Sequence, residues 1–172
     1  MTEKEFKIQV LPMSNLVYPM AKRLLRSEEA AQDAIQLSML KLWENRHKLK
    51  KCESVKAFVF RVVRNTCLDE LKKKKVIYFE NYDQIKTFNT NFEPTNYEEK
   101  EAIELVQIFM NQLPKSQMEV LQMRDIDGLD FDEIAEILAT DIPYVRVLLS
   151  RARKTLKMNL QKVYAYEALK KR

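Results

Sequence analysis

Residues 131–157, FDEIAEILATDIPYVRVLLSRARKTLK, decide the fold predicted for the second half of this chain. Apolar residues at helical spacing run through residues 131–138 and again from Val145 to Leu156, and the three residues ATD separate the two runs. Asp141 is placed to cap the second run. Two short helices joined by three residues, the second of them basic, are typical of a helix-turn-helix. We expect Val145, Leu149, Ala152 and Leu156 to pack on Phe131, Ile134, Ala135 and Leu138.

The second of these helices is both basic and unusually apolar. Its run Val145-Arg146-Val147-Leu148-Leu149 holds four apolar residues in five, which is more than one buried face needs. Its arginines and lysines can hold DNA phosphates without reading the sequence. Val147 and Leu148 cannot donate the paired hydrogen bonds that identify guanine, so they either contact thymine methyls or bind a partner protein, and both alternatives stay open. The residues left for an outer, DNA-facing surface are Tyr144, Arg146, Val147, Leu148, Ser150, Arg151, Arg153 and Lys154.

The composition predicts a soluble, all-α globular chain. Of its 172 residues 46% are hydrophobic and 32% are charged, which excludes a disordered class. Gly128 is the only glycine, so a glycine-cradled phosphate site such as a P-loop is excluded. No apolar run approaches the ~18 residues of a membrane span. The start MTEKEFKIQV has no signal core, so no membrane insertion is expected.

No metal, cofactor or catalytic site is predicted. His47, Cys52 and Cys67 offer at most three N/S ligands, whereas a structural zinc site needs about four. In DIDGLDFDE the glycine comes too early for a calcium-binding loop. Carboxylate pairs are frequent but belong to polar helix faces, so we expect a binding protein and not an enzyme. Two unpatterned cysteines, of which Cys67 is expected to be buried, suit a reducing cytoplasm.

Charge divides the chain into four blocks. Residues 1–75 and 142–172 each carry a net charge of +8, whereas residues 76–112 carry −5 and residues 113–141 carry −6. Two basic bodies separated by acidic sequence predict two contacts with one polyanion. Ordinary solvated helix faces explain the same totals equally well, so charge alone leaves both interpretations open.

Helices are also predicted throughout the first basic block. A short helix is expected from about Pro19 to Leu25, because proline fits only the first turn of a helix. SEEAAQDAIQLSMLKLWENR begins with Ser27 as its expected cap, and SVKAFVFRVVRNTCLDELKKKK begins with Ser54 in the same role.

An aromatic residue lies among the arginines of the helix that follows Ser54. Phe58 and Phe60 point about 200° apart around the axis, so both are buried only if the helix is covered nearly all round. Phe60 shares a side with Arg61 and Arg64. An aromatic ring between arginines can stack on unpaired bases while the charges hold phosphates. Burial of Phe60 in the core is the alternative.

Taken together, these segments resemble a group IV, or extracytoplasmic-function (ECF), sigma factor of bacterial RNA polymerase over nearly the whole chain. AAQDAIQLSMLKLWENRHKL resembles regions 2.1 and 2.2, which dock on the polymerase clamp. SVKAFVFRVVRNTCLDELKKKK resembles regions 2.3 and 2.4, which melt and read the minus-ten element. LPKSQMEVLQMRDIDGLDFDEIAEIL, continued to SRARKTLK, resembles region 4, which reads the minus-thirty-five element and touches the polymerase flap. The resemblance implies an all-α fold of two small helical domains, region 2-like over 1–75 and region 4-like over 98–172, joined by a flexible linker over 76–97.

The resemblance also implies roles for individual residues. The loop from Lys50 to Ser54 matches the place where family members pocket a flipped base. Ala139 stands where the family usually has a turn glycine. Positions that match the polymerase-docking motif are Asp33, Gln36, Met39, Leu42 and Trp43. Positions that match the minus-ten helix and its loop are Lys50, Lys51, Ser54, Phe60, Arg61, Arg64, Asn65, Asp69 and Lys72.

The implied function is that of an alternative sigma factor, which binds core RNA polymerase, directs it to promoters and assists promoter opening. The implied partners are the polymerase clamp and flap, double-stranded promoter DNA, the melted non-template strand, and an anti-sigma factor or other regulatory protein acting in trans. Two alternatives remain. One is a sigma factor whose targeting is supplied by a partner protein docked on region 4, and the other is a helix-turn-helix regulator that does not bind core polymerase.

Overall fold

The computed structural model describes the backbone of residues 1–77 and 97–170, and the side chains of residues 1–73 and 102–165. Within these ranges every regular element is helical, which confirms the predicted all-α class. The predicted linker, residues 76–97, lies almost wholly outside the described residues. The helices are α1 Glu3–Gln9, α2 Met13–Leu25, α3 Glu28–Glu44, α4 Arg46–Leu49, α5 Val55–Ile77, α6 Tyr97–Asn111, α7 Lys115–Leu121, α8 Phe131–Leu138 and α9 Ile142–Lys170, and a π-helical turn, Gln122–Ile126, follows α7.

The first compact unit is built on three helices that pack against one another. α2, α3 and α5 contact each other pairwise, and residues 132–139, which include most of α8, belong to the same unit. Each of the three presents the apolar stripe that its 3.6-residue period predicts. Their buried apolar side chains include Val17, Met20, Ala21, Ala34, Leu42, Val59, Val63 and Cys67.

Local capping signals set where three of the helices begin. Ser27 and Ser54 each accept a hydrogen bond from the backbone amide three residues later, at 3.2 and 3.1 Å. The Asp141 carboxylate accepts one from the Tyr144 amide at 2.7 Å. The three predicted caps are confirmed, and each is typically worth ~1 kcal/mol of helix stability.

The prediction that a helix starts near Pro19 is wrong, because α2 begins at Met13 and runs through the proline. A proline inside a helix removes one backbone hydrogen bond. Val17 and Met20, which flank Pro19, are both buried. Helical stability in a folded protein comes mostly from the packing of such an apolar stripe, and this packing offsets the lost bond.

The second compact unit holds α6, α7, the π-helical turn and α9, and both α6 and α7 pack against α9. Gly128 follows the turn with a φ of 66°, which confirms that the glycine ends this helical stretch. The Arg124 guanidinium donates to the Leu129 carbonyl and to Asp130, each at 2.7 Å, and so ties the turn to the chain that leaves it.

The apolar residues predicted for the helix-turn-helix are largely buried. Ile134 and Ala135 of α8 and Val145, Leu149 and Ala152 of α9 are buried, whereas Phe131, Leu138 and Leu156 are half-buried. The pattern of buried positions is therefore confirmed, and the pairwise packing between the two sets stays a prediction.

Candidate functional site

One face of α5 gathers the polar residues predicted to meet minus-ten DNA. Arg61, Asn65, Asp69 and Lys72 recur at intervals of four, four and three residues, which places them on one side of the helix. Arg61 is half-buried and the other three are exposed. Of the remaining predicted residues, Lys50 and Lys51 are exposed and Arg64 is half-buried. We call this side, with Phe58, the α5 face.

Phe60 does not belong to the α5 face. Its side chain is fully buried, and it lies on the same side of the helix as Ala57 and Val63, which are buried too. The prediction that Phe60 stacks on an unpaired base is therefore wrong, because the ring fills the core of the first unit. Phe58 is instead half-buried, and the Arg61 guanidinium lies 5.0 Å from its ring centroid. The aromatic that accompanies an arginine on the accessible side is thus Phe58.

Two cations at the α5 face are paired with carboxylates of α8, which belongs to the same unit. Lys56 Nζ lies 3.1 Å from one Glu133 oxygen, and the other oxygen accepts a hydrogen bond from Ser54 Oγ at 3.1 Å. Arg61 lies 3.5 Å from Glu136. A DNA phosphate bound at Lys56 or Arg61 would therefore replace a carboxylate and not water. No local pattern predicts these ion pairs, because the partners Lys56 and Glu133 are 77 residues apart.

A groove of about 910 Å³ runs between α1, α2 and α3 of the first unit. Three residues predicted to dock on polymerase, Gln36, Met39 and Trp43, line this groove. We call it the docking groove after that prediction. Leu11 and Leu40 extend its apolar lining and are 42% and 61% exposed, so apolar surface faces solvent here. An apolar groove between helices is a common docking place for a helix of another protein.

Two other predicted docking residues lie elsewhere. Leu42 is 1% exposed, so its predicted contact with polymerase is wrong and the side chain belongs to the core of the first unit. Asp33 is exposed on α3 but does not line the docking groove. The sequence could not separate Leu42 from Met39, because both are apolar and three residues apart on one helix.

Trp43 is held from two directions before any partner binds. Phe6 of α1 meets it edge to face, with 5.1 Å between the ring centroids and 76° between the planes. The Arg46 guanidinium lies 4.3 Å from the Trp43 ring centroid. Each such contact stabilises by ~0.5–1.5 kcal/mol and limits the rotamers of the indole. Phe6 was missed at the sequence level, because it lies far from the motif that contains Trp43.

The outer face of α9 is narrower than the sequence predicts. Leu148 is only 5% exposed, because it lies three residues after Val145 and four before Ala152, on the buried side of the helix. The prediction that Leu148 contacts DNA or a partner protein is therefore wrong. Tyr144 and Val147 are 50% and 43% exposed and remain on the outer face.

Two arginines of α9 are engaged within the second unit. The Arg146 guanidinium lies 5.2 Å from the ring centroid of Phe131. Arg153 donates from Nε and Nη2 to the two carboxylate oxygens of Asp125, at 3.1 and 2.5 Å. This bidentate pairing raises the pKa of Arg153. A phosphate at Arg153 would have to compete with Asp125.

Three exposed polar residues remain on the outer face of α9, namely Ser150, Arg151 and Lys154. Within the described part of the chain neither Arg151 nor Lys154 forms an ion pair. Their charges are therefore available to a polyanion without the loss of an internal partner. We call Tyr144, Val147, Ser150, Arg151 and Lys154 the α9 face.

Both cysteine thiols are less acidic than usual. Burial raises the pKa of Cys67 to about 12, so this thiol stays protonated near neutral pH, and its predicted burial is confirmed. Burial also raises the pKa of Cys52. Among the described side chains no cluster of three His, Cys, Asp or Glu residues is arranged to hold a metal ion. None of the described helices combines the length and the apolar character needed to cross a bilayer.

Comparison with protein families finds two matching segments in the order expected. Residues 10–76 match Sigma-70 region 2, and residues 100–156 match Sigma-70, region 4. The chain belongs to the sigma-70 family. The first match covers α2 to α5, with the α5 face, and the second covers α7, α8 and the first half of α9, with all of the α9 face.

Two known sigma factors and one solved structure match this chain over most of their own length. RNA polymerase sigma factor SigZ of Bacillus subtilis (strain 168) is 25% identical over 137 residues, which cover 80% of this chain and 76% of SigZ. ECF RNA polymerase sigma factor SigM of the same organism is 24% identical, over 83% of this chain and 87% of SigM. The sigma factor RpoE of Bartonella quintana, solved with the anti-sigma factor NepR, superposes with a TM-score of 0.70 at 19% identity, over 92% of this chain and 98% of RpoE. The chain is an alternative sigma factor, which directs RNA polymerase to promoters.

Proposed function

We propose that this sigma factor docks on the core polymerase clamp through the docking groove, contacts the minus-ten element through the α5 face, and contacts upstream promoter DNA through the α9 face. The observation that carries the proposal is the α5 face, where Phe58 and Arg61 lie together on the accessible side of a region 2 helix. A half-exposed aromatic beside an arginine is suited to stack on a base while the cation holds phosphate.

Polymerase docking is assigned to the groove because it combines an aromatic anchor with exposed apolar walls. Tryptophan is among the residues that carry most of the binding energy in protein interfaces. Trp43 lies in the lining with its ring already held by Phe6 and Arg46, so little side-chain entropy remains to be lost on binding. Gln36 adds an exposed hydrogen-bonding group on the same lining.

Promoter opening is assigned to the α5 face and to the loop before it. Lys50 and Lys51 are exposed ahead of Ser54, so phosphates can be held at the place where the resemblance puts a flipped base. Flipping costs a few kcal/mol of unstacking, which stacking and phosphate contacts must offset. We further propose that the chain has no catalytic role, acts in the cytoplasm, touches the polymerase flap through its region 4, and is controlled in trans by an anti-sigma factor.

The described side chains support neither of the two alternative functions. A partner docked on region 4 was suggested by an apolar pair, and Leu148 of that pair is buried. A regulator that does not bind polymerase needs no docking groove, yet the groove exposes apolar surface beside Trp43.

The test is competition between variants of the chain for purified core polymerase, followed by fluorescence anisotropy. We expect Trp43→Ala combined with Gln36→Ala to weaken binding at least tenfold, because a central aromatic anchor is lost. Leu16→Ala is the matched control, since Leu16 is an exposed apolar residue of α2 outside the groove lining. A circular dichroism melt of the double variant checks that the loss does not come from misfolding, because Trp43 also packs on Phe6. Unchanged affinity of the double variant would show that polymerase docks elsewhere.

A further inference from the structure

The first half of the α9 face offers bases an aliphatic side chain and few hydrogen-bond donors. Val147 is 43% exposed and lies about 200° around the helix from the buried Val145, so it points away from the core of the second unit. Tyr144, one turn earlier on the same side, is 50% exposed. In a helix-turn-helix protein the N-terminal part of the second helix is the part that meets base edges in the major groove.

Of the side chains that normally identify guanine or adenine, this part of α9 holds only the exposed Arg146. Guanine is read by Arg or Lys, and adenine by Asn or Gln, through paired hydrogen bonds. Residues 142–150, IPYVRVLLS, contain no Lys, Asn or Gln. Their one arginine, Arg146, stacks on Phe131 with 5.2 Å between the guanidinium and the ring centroid. Ser150 has a single hydroxyl, which bonds to any of several base edges.

Charged residues follow only in the second half of the face. Arg151 and Lys154 are exposed and pair with no carboxylate of the described residues, so they are available to phosphates. Phosphate contacts fix the register of a helix on the duplex but carry no sequence information. The Val147 isopropyl group is therefore the exposed base-facing group best suited to distinguish one base pair from another. It can contact the C5 methyl of thymine, which is the apolar feature of the major groove.

We propose that Val147 reads an A·T pair in the upstream promoter element by contact with the thymine C5 methyl, while Arg151 and Lys154 hold the adjacent phosphates. The inference rests on the proposed contact of the α9 face with upstream DNA. Leu148 contributes nothing to this reading, because its side chain is in the core. Burial of one methyl group against Val147 gives a preference of roughly three- to fivefold over the same pair without the methyl.

The test uses the complex of this sigma factor with core polymerase and a duplex library randomised over the upstream promoter region. The library is amplified once with dTTP and once with dUTP, because uracil differs from thymine only by the missing methyl. We expect selection from the dTTP library to enrich thymine at one or more upstream positions. Selection from the dUTP library should not enrich uracil at those positions. Replacement of the enriched thymine by 5-methylcytosine in a single site should retain more binding than replacement by cytosine.

Variants of Val147 assign the contact to that residue. The complex with Val147→Ser should select the same bases from both libraries. Val147→Thr keeps one methyl group, so its complex should keep part of the preference for thymine. Met158→Ser is the matched control, because Met158 is 48% exposed on α9 but lies well beyond the base-facing turns, and it should behave like the parent. These exposed positions tolerate polar residues, and a circular dichroism melt verifies folding of each variant.

Four outcomes overturn the inference. Equal enrichment from the dUTP library would assign the preference to hydrogen bonds or to DNA shape. Enrichment of guanine would mean that Arg146 leaves Phe131 and reads the base. A complex that transcribes but selects no upstream base would show that Val147 reads nothing, while the proposed docking on polymerase would stand. A chain that fails to bind core polymerase would overturn the proposed function, and the inference with it.

Discussion

The α5 face and the α9 face are both basic sides of long amphipathic helices, yet they differ in the apolar group each exposes. The α5 face exposes part of Phe58, beside Arg61. The α9 face exposes Val147, one turn before Arg151. An aromatic ring can stack on a base only after the base leaves the duplex, whereas an aliphatic group can touch the edge of a paired base. The two faces are thus suited to two states of one promoter, melted at α5 and double-stranded at α9.

The comparison is tested most directly by replacing the two aromatic residues of α5, Phe58 and Phe60, by alanine one at a time. Phe60→Ala should lower the free energy of unfolding by ~3–5 kcal/mol, because a fully buried ring is lost from the core. Phe58→Ala should cost much less stability but should lose the ~1–3 kcal/mol that stacking on a base supplies during opening. Guanidinium unfolding measures the first effect, and permanganate reactivity of promoter thymines measures the second.

A pre-melted bubble template separates the two effects further. The opening defect of Phe58→Ala should shrink on the bubble, since strand separation no longer has to be driven by stacking. Phe58→Tyr retains an aromatic ring and is the matched control. A Phe58→Ala variant that opens duplex promoters as well as the parent would remove the aromatic basis of the comparison.

The next effect concerns the cations of the α9 face. Arg151→Ala and Lys154→Ala should each weaken DNA binding on any sequence, and each should reduce the salt dependence by roughly one phosphate contact. Arg153→Ala should change the salt dependence less, because its guanidinium already pairs with Asp125. The measurement is the slope of log affinity against log salt concentration for the polymerase complex on one promoter fragment.

Arg153→Ala should also differ from Arg151→Ala and Lys154→Ala in its free energy of unfolding. Removal of an exposed ion pair lowers the free energy of unfolding by no more than ~1 kcal/mol. Arg151→Ala and Lys154→Ala break no pair and should leave stability unchanged. If all three variants flatten the salt dependence equally, Arg153 exchanges Asp125 for phosphate in the complex.

Local signals in the sequence predicted the fold well. The Ser27, Ser54 and Asp141 caps and the Gly128 terminus each depend on residues within a few positions of one another, so the sequence alone contains them. Helical period likewise predicted that Val145, Leu149 and Ala152 of α9 are buried.

Apart from the helix start near Pro19, the errors concern apolar residues at the margin of a stripe. Phe60, Leu42 and Leu148 each lie where helical period allows either the core or the surface. The outcome depends on which neighbouring helix covers that margin, and this is a tertiary property. A polar residue has no such freedom, because its burial without a partner costs too much. This is why exposed Asn65 and Lys72 were easier to predict than Phe60.

Contacts between distant residues could not be predicted at all. The pairing of Arg153 with Asp125 and the stacking of Phe6 on Trp43 join residues with no local relation in the sequence. Both change the candidate site, because the first occupies a cation of α9 and the second fixes the anchor of the docking groove. Charge or apolar character alone would have counted Arg153 as available to DNA and Phe6 as ordinary core.

The smallest expected effect lies in the turn that leads into α9. Ala139 has a φ of 52°, a left-handed conformation that costs a residue with a Cβ about 1–2 kcal/mol. Glycine adopts this conformation freely but loses more entropy on folding, so Ala139→Gly should raise the free energy of unfolding by only ~0.5–1 kcal/mol. Thr140→Gly is the control, since Thr140 has no such conformation and its replacement should not stabilise. A destabilised Ala139→Gly variant would mean that the methyl of Ala139 contributes packing that outweighs the strain. The turn also sets where the α9 face begins. If the strain at Ala139 affects stability alone, Ala139→Gly should leave the thymine preference of the parent unchanged.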